Sequence, residues 1–249
     1  MLCAFRFYGA LNDFLPRLRR GRRFTYELRH AASVKDVIEA LGIPHPEIEL
    51  IVVNGTAEDF SYRLRDGDRV AAYPPFRTIG VGDLRRVGAT PPQPVRFALD
   101  EHLGKLAALL RLAGFDTLIT GDDARLARVA AADDRVLLTR DVALLKRSEI
   151  RWGHWVRNVV PVRQLGEVLD RFDLFGSVRP FSRCLRCNVP VVDADAEAVA
   201  SRILPRTRAE FREFRECPAC RRVYWKGSHY QDLCRLLDSL GARSVTTSA

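Results

Sequence analysis

The stretch from residue 96 to residue 147 decides the fold class and reads RFALDEHLGKLAALLRLAGFDTLITGDDARLARVAAADDRVLLTRDVALLKR. Three short apolar segments in it, RFALD, FDTLIT and RVLLTRD, are typical of buried strands. Each is followed by a segment whose apolar residues recur at helical spacing. A fourth strand in HWVRNVVPV and a last helix in QLGEVLDRF continue the alternation. This order predicts a parallel α/β sheet covered on both faces, which we assign to residues 95–176.

The residues before this stretch predict a small α+β domain. LCAFRFYG and FTYELR alternate as strands, and Ser33 begins a helix that ends at Gly42. IELIVVNG and RVAAYPP are two further strands. The order strand, strand, helix, strand, strand is that of a β-grasp fold, which we assign to residues 1–76. Residues 77–94 are rich in glycine and proline and predict a linker.

Acidic residues follow the strands of the α/β domain. Asp100 and Asp141 end the first and third strands, and Asp122 and Asp123 follow the second. Because the carboxyl ends of parallel strands share one edge, we expect these carboxylates to converge. Such a group of anions favours a hard cation, Mg²⁺ or Mn²⁺, and a bound ion of this kind supports phosphodiester hydrolysis. The alternative for Asp122 is a helix N-cap, and Glu101 is predicted to be a solvated residue at a helix start.

Two C-x-x-C pairs lie near the C-terminus. Cys184 and Cys187 form the first pair, and Cys217 and Cys220 form the second. Each pair can place two thiolates on one ion at about 2.3 Å, so two pairs complete a tetrahedral shell with no open position. The sequence therefore predicts a structural zinc site. The alternatives are four ordinary buried cysteines or a redox-active pair.

The charge of the chain indicates a polyanionic partner. The 249 residues carry a formal net charge of +9, and nucleic acid is the commonest polyanion that such a protein meets. A basic surface without a cognate polyanion is the alternative. Lys105 and Arg140 flank the acidic residues and are candidate phosphate contacts. No apolar run is long enough to cross a membrane and no signal peptide is evident, so we expect a cytoplasmic protein without a membrane partner.

The residues from 96 to 147, with both cysteine pairs and the sequence CPACRRVYWKGSHY, resemble the Mut-7 C-terminal RNase domain family, a branch of the PIN-like nucleases. The resemblance implies a PIN-like sheet, a zinc ribbon over residues 177–240 and a metal-dependent ribonuclease. It places Asp100 and Asp141 at the two acidic strand ends and Asp122 or Asp123 at the helix acid. Basic residues of the ribbon are then candidate contacts to the RNA backbone. Tyr224 and Trp225 are candidates to stack on bases, with packing against the ribbon favoured for at least one of them.

The segments RFYGALNDFLP and VNGTAEDFSYRLRDGDRVAAYPP resemble the ubiquitin-like, sulfur-carrier-type domain that often precedes this RNase domain. Sulfur carriers end in a free Gly-Gly carboxylate, whereas this chain continues through PPFRTIGVGDL. We therefore expect the domain to bind or position something, with a protein partner as one possibility.

Three other functions remain open at this stage. A non-catalytic RNA-binding or adaptor protein would use the acids only as helix caps. A sulfur-carrier-related protein would require cleavage in the linker. A phosphatase on a similar sheet ranks low, because the first strand ends in Asp-Glu-His and not in Asp-x-Asp.

Overall fold

The computed structural model describes residues 1–76, 87, 88 and 90–246. Most of the linker predicted at residues 77–94 therefore lies outside the described residues. The chain divides into two compact units. The first unit joins residues 1–92 with residues 123–155, and the second joins residues 93–122 with the chain from Val156 onward.

A five-stranded sheet and one helix form the N-terminal domain, which confirms the predicted β-grasp fold. The elements are β1 (Leu2–Phe7), β2 (Phe24–Glu27), α1 (Val34–Ala40), β3 (Leu50–Val53), β4 (Thr56–Glu58) and β5 (Arg69–Tyr73). The strand order is β2-β1-β5-β3-β4, with β1 and β5 parallel and the other neighbours antiparallel. Helix α1 begins at a capping box in which Ser33 and Asp36 exchange hydrogen bonds with each other's backbone. Its apolar face covers a core that includes Phe5, Phe7 and Ile51.

Strands and helices alternate in the next part of the chain, as predicted. The elements are β6 (Phe97–Asp100), α2 (Gly104–Leu112), β7 (Thr117–Thr120), α3 (Asp123–Ala132), β8 (Val136–Thr139), α4 (Val142–Leu145), β9 (Gly153–Trp155) and α5 (Pro161–Arg171). Strand β6 pairs with β7 in parallel, and β8 pairs with β9 in parallel. These parallel pairs confirm the α/β class.

The fourth strand is shorter than the sequence predicts. Only the start of the predicted segment HWVRNVVPV is a strand, since β9 ends at Trp155. The backbone N–H groups of Arg157 and Asn158 donate to the carboxylate of Glu167 at 2.9 and 3.0 Å. A side chain of α5 thus takes the hydrogen bonds that a longer strand would give to a neighbouring strand.

The C-terminal part of the chain contains a small antiparallel sheet between short helices. The elements are β10 (Val192–Ala194), α6 (Ala196–Val199), α7 (Pro205–Glu210), β11 (Phe214–Glu216), β12 (Val223–Trp225) and α8 (Ser228–Thr246). The strand order is β10-β11-β12. Within the described ranges, no helix has both the length and the apolar character that a bilayer crossing requires.

Within the first unit, the β-grasp domain makes buried polar contacts with the segment 123–155. Glu47 is 2% exposed, and its carboxylate accepts a hydrogen bond from the backbone N–H of Trp155 at 2.6 Å. The same carboxylate lies 3.0 Å from Nδ1 of His154. Nε2 of His45 donates to the carbonyl oxygen of Ile150 at 2.7 Å. Buried polar groups therefore join two segments that are about a hundred residues apart in sequence.

Candidate metal centre and catalytic residues

The four predicted zinc ligands lie together in the second unit. The Sγ atoms of Cys184, Cys187, Cys217 and Cys220 are all within 4.8 Å of one another. Those of Cys184 and Cys220 are 3.7 Å apart. Ligands placed tetrahedrally at about 2.3 Å from zinc are themselves about 3.8 Å apart, so the cluster fits this ion. All four cysteines are free thiols, which excludes a disulfide between the pairs in this structure.

Hydrogen bonds have opposite effects on the two thiols of the first cysteine pair. Burial alone raises the pKa of Cys184, but the Tyr224 hydroxyl and two backbone N–H groups stabilise the thiolate and bring the pKa down to about 6. The pKa of Cys187 rises to about 12, because its thiol is hydrogen-bonded to Cys220 and partly desolvated. A bound Zn²⁺ would lower the pKa of Cys187 and of the other three thiols, since its charge stabilises all four thiolates at once.

Tyr224 packs against the first cysteine pair. Its side chain is 9% exposed, and its hydroxyl donates to Sγ of Cys184 at 3.1 Å. The hydroxyl also accepts from the backbone N–H of Leu185 at 3.1 Å. Packing against the ribbon, the role that the sequence favours for at least one of Tyr224 and Trp225, is therefore the role of Tyr224, whose ring is buried against the first cysteine pair. Trp225, its neighbour, is only partly buried.

The first cysteine pair is bonded to strand β7 through Asn188. The backbone N–H of Thr117 donates to Oδ1 of Asn188 at 2.9 Å, and Nδ2 of Asn188 donates to Asp116 at 2.8 Å. Asn188 has a φ of 61°, a conformation that asparagine adopts more readily than most residues. A side chain beside the predicted zinc site thus completes the hydrogen bonding at the start of strand β7.

Arg111 makes a second link between the same two regions. Its guanidinium donates from Nε and Nη2 to the carbonyl oxygen of Thr117 and from Nη1 to that of Leu185, at 2.9–3.0 Å. Burial lowers the pKa of this arginine. Helix α2, strand β7 and the first cysteine pair therefore share one hydrogen-bonded network.

We expect Asn188→Gly to lower the free energy of unfolding by about 1–3 kcal/mol, since it leaves the buried N–H of Thr117 without its acceptor. Glycine accepts the positive φ, so the loss reports on the side chain alone. Denaturant titration measures the effect. Asp134→Gly is the matched control, because Asp134 also has a positive φ of 50° but is exposed. Equal stability of both variants and the wild type would contradict this role of Asn188.

Asp100 and Asp141 stand where the sequence placed them, at the ends of wholly buried strands. Asp100 is the last residue of β6 and is 8% exposed, and its Oδ1 accepts from the N–H of His102 at 2.9 Å. Asp141 follows β8 by two residues, and its Oδ1 accepts from the N–H of Ala143 at 2.7 Å. In both residues the next helical turn fixes the orientation of the carboxylate.

The other predicted site residues lie at the start of helices or on the surface. Asp122 directly precedes α3, and Asp123 is the first residue of that helix. The position of Asp122 suits an N-cap as well as a metal ligand. Lys105 is exposed in the first turn of α2, and Arg140 is exposed directly before Asp141.

Two family models match the chain. The Mut7-C RNAse domain matches residues 95–237, and the Mut7-C ubiquitin domain matches residues 1–80. The chain belongs to the Mut7-C RNAse domain family. Both cysteine pairs lie inside the matched range, so the zinc ribbon is part of the Mut7-C domain itself. No curated protein and no solved structure matches the chain.

The Mut7-C domain of this chain has a further acidic residue next to Asp122. A Cβ atom added at Gly121 would lie 2.5 Å from Oε2 of Glu101. The Glu101 carboxylate is exposed, as predicted, but it packs against the backbone directly before Asp122. Gly121 between a strand and an acidic pair was the only sequence signal for this contact, because a glycine there permits close approach.

Proposed function

We propose that this Mut7-C protein is a metal-dependent ribonuclease that hydrolyses RNA phosphodiester bonds. Membership in an RNAse domain family supports a nuclease role. The observation that carries the finer proposal is the pair Asp100 and Asp141, two acids that end buried strands with their carboxylates oriented by backbone N–H groups. An acid at such a position is stabilised by a nearby cation.

In the proposed site, Asp100, Asp141 and one of Asp122 and Asp123 hold Mg²⁺ or Mn²⁺. The ion, when bound, polarises the phosphate and lowers the pKa of a water molecule that attacks it. The N–H groups of His102 and Ala143 hold the carboxylate oxygens in position and reduce the reorganisation that ion binding requires. Lys105 and Arg140, as exposed cations, contact the flanking phosphates of the RNA.

A non-catalytic RNA-binding or adaptor protein is the second candidate. The hydrogen bonds that support it are the same ones, because Asp100 and Asp141 both accept from the N–H two residues later, as helix-capping residues do. For either candidate function, we propose RNA as the partner and the cytoplasm as the compartment.

Cleavage of an end-labelled single-stranded RNA by the full-length protein tests the proposal. We expect cutting in Mg²⁺ or Mn²⁺ and none after these ions are chelated with a controlled excess of EDTA. Zinc content is measured beside each reaction, so that loss of the ribbon is not mistaken for loss of the catalytic ion. Stable RNA binding without cutting in either ion would favour the adaptor.

A further inference from the structure

The loop between β1 and β2 of the β-grasp domain is strongly basic. Residues 16–23 read PRLRRGRR and contain five arginines and no acid. Two of the arginines hold the loop in shape. The guanidinium of Arg19 lies 4.7 Å from the centre of the Phe24 ring, and Nε of Arg20 donates to the carbonyl oxygen of Leu15 at 2.8 Å. These two contacts stabilise the conformation of the loop that carries the other three arginines.

Arg17, Arg22 and Arg23 are the remaining three, and all are exposed. Among the described residues, none of these three side chains makes a hydrogen bond or an ion pair. Several basic side chains of the zinc ribbon are different, since each is paired with an acid: Arg202 and Arg221 with Glu216, Arg208 with Glu197, Arg215 with Asp193 and Lys226 with Glu213. Uncompensated positive charge therefore lies on the β-grasp domain more than on these parts of the ribbon.

The charge extends onto the sheet. Phe5 of β1 pairs with Phe24 of β2, and Arg6 and Arg23 are the residues next to this pair in the chain. Like charges close together repel each other unless an anion compensates them. The Arg6 guanidinium lies 4.9 Å from the centre of the Tyr8 ring, which itself stacks on Tyr73 at 4.4 Å. Cations and flat rings thus adjoin one another on the face opposite the core.

We propose that Arg6, Arg17, Arg22 and Arg23 form a binding surface for the phosphate backbone of an RNA strand. The ubiquitin-like domain would then bind the substrate of the nuclease domain. RNA is favoured over an acidic protein because the surface offers several guanidinium groups and little apolar area, Leu18 being its large exposed apolar side chain. The identity of the anion rests on the proposed ribonuclease function, whereas the surface itself rests on the unpaired charges.

Fluorescence anisotropy with a single-stranded RNA tests this surface in the full-length chain. The Asp141→Asn background keeps the RNA intact. The variant Arg17→Gln, Arg22→Gln, Arg23→Gln is compared with Arg63→Gln, Arg128→Gln, Arg206→Gln, which removes the same charge from exposed arginines elsewhere. We expect the loop variant to bind about tenfold more weakly or worse. The slope of log affinity against log salt should fall by about 2, since each contact with a single strand contributes about 0.7.

The outcomes separate this inference from the proposed function. Equal RNA binding by the loop variant and its control overturns the surface, even if the wild type cuts RNA. Weaker binding by the loop variant alone supports it, even if no cutting is found and the nuclease proposal fails. Loss of binding to anionic phospholipid vesicles with RNA binding unchanged would reassign the loop to a membrane and also overturn the inference.

Discussion

Substitution of Cys217 by serine is expected to release the zinc ion and unfold the zinc ribbon of this Mut7-C protein. Structural zinc sites bind with apparent free energies of about 10–16 kcal/mol, and most of this energy is folding energy. Zinc ligands form much of one core cluster of the ribbon, since its buried members are Cys184, Cys217 and Tyr224. Removal of one thiolate leaves the other three, of which Cys184 is buried, without full coordination.

Metal analysis and thermal unfolding measure this effect. We expect substoichiometric zinc in Cys217→Ser and loss of its C-terminal transition, whereas Cys234→Ser, the control outside the cluster, should retain both. Hydrogen exchange should also show faster exchange of the Thr117 amide, because its acceptor on Asn188 belongs to the first cysteine pair's turn. A Cys217→Ser protein with full zinc content and unchanged stability would contradict the structural role of the site.

Asp141→Asn is expected to abolish metal-dependent RNA cleavage and to leave the fold intact. Asparagine retains an oxygen that accepts from the N–H of Ala143, so the start of α4 keeps its cap. It lacks the negative charge that the proposed ion requires. A loss of about 10³-fold or more, equivalent to about 4 kcal/mol of transition-state stabilisation, is in the range of metal-ion catalysis. Asp100→Asn should behave in the same way.

Single-turnover cleavage of labelled RNA in Mn²⁺ measures this loss, with the unfolding midpoint of each variant recorded in parallel. Asp134→Asn is the matched control, because Asp134 is an exposed acid of the same domain and asparagine tolerates its positive φ. Full cleavage by both strand-end variants would show that Asp100 and Asp141 only cap helices and that the residues responsible for cleavage lie elsewhere in the chain.

Local sequence patterns were sufficient to predict the β-grasp and α/β folds and the cluster of four cysteines. Apolar periodicity identifies strands and helices because burial of one face drives their formation. The C-x-x-C spacing identifies Cys184 and its partners because two thiolates three residues apart can share one ion. The strand-end positions of Asp100 and Asp141 follow from the same periodicity. Their shared role in binding a metal stays a prediction.

Side-chain partners that are distant in sequence could not be predicted in this way. Asn188 and Thr117 are 71 residues apart, and Arg111 and Leu185 are 74 apart. No pattern within a single segment specifies such pairs, because tertiary packing brings them together. The early end of β9 has a similar cause, since the competing acceptor is Glu167 on the following helix. The buried role of Tyr224 likewise depends on the folded cysteine pair.

The burial of Glu47 makes the N-terminal domain a structural part of the first unit that cannot be removed without cost. Its carboxylate serves the backbone of Trp155 and lies beside the 4%-exposed side chain of His154. If the chain were shortened to begin at Val95, these groups would lose their acidic partner. Removal of one partner from a buried polar pair destabilises a protein more than replacement of the whole pair by apolar residues. Loss of the ubiquitin-like domain in evolution would therefore require compensating changes around β9, which ties the inheritance of the two domains together.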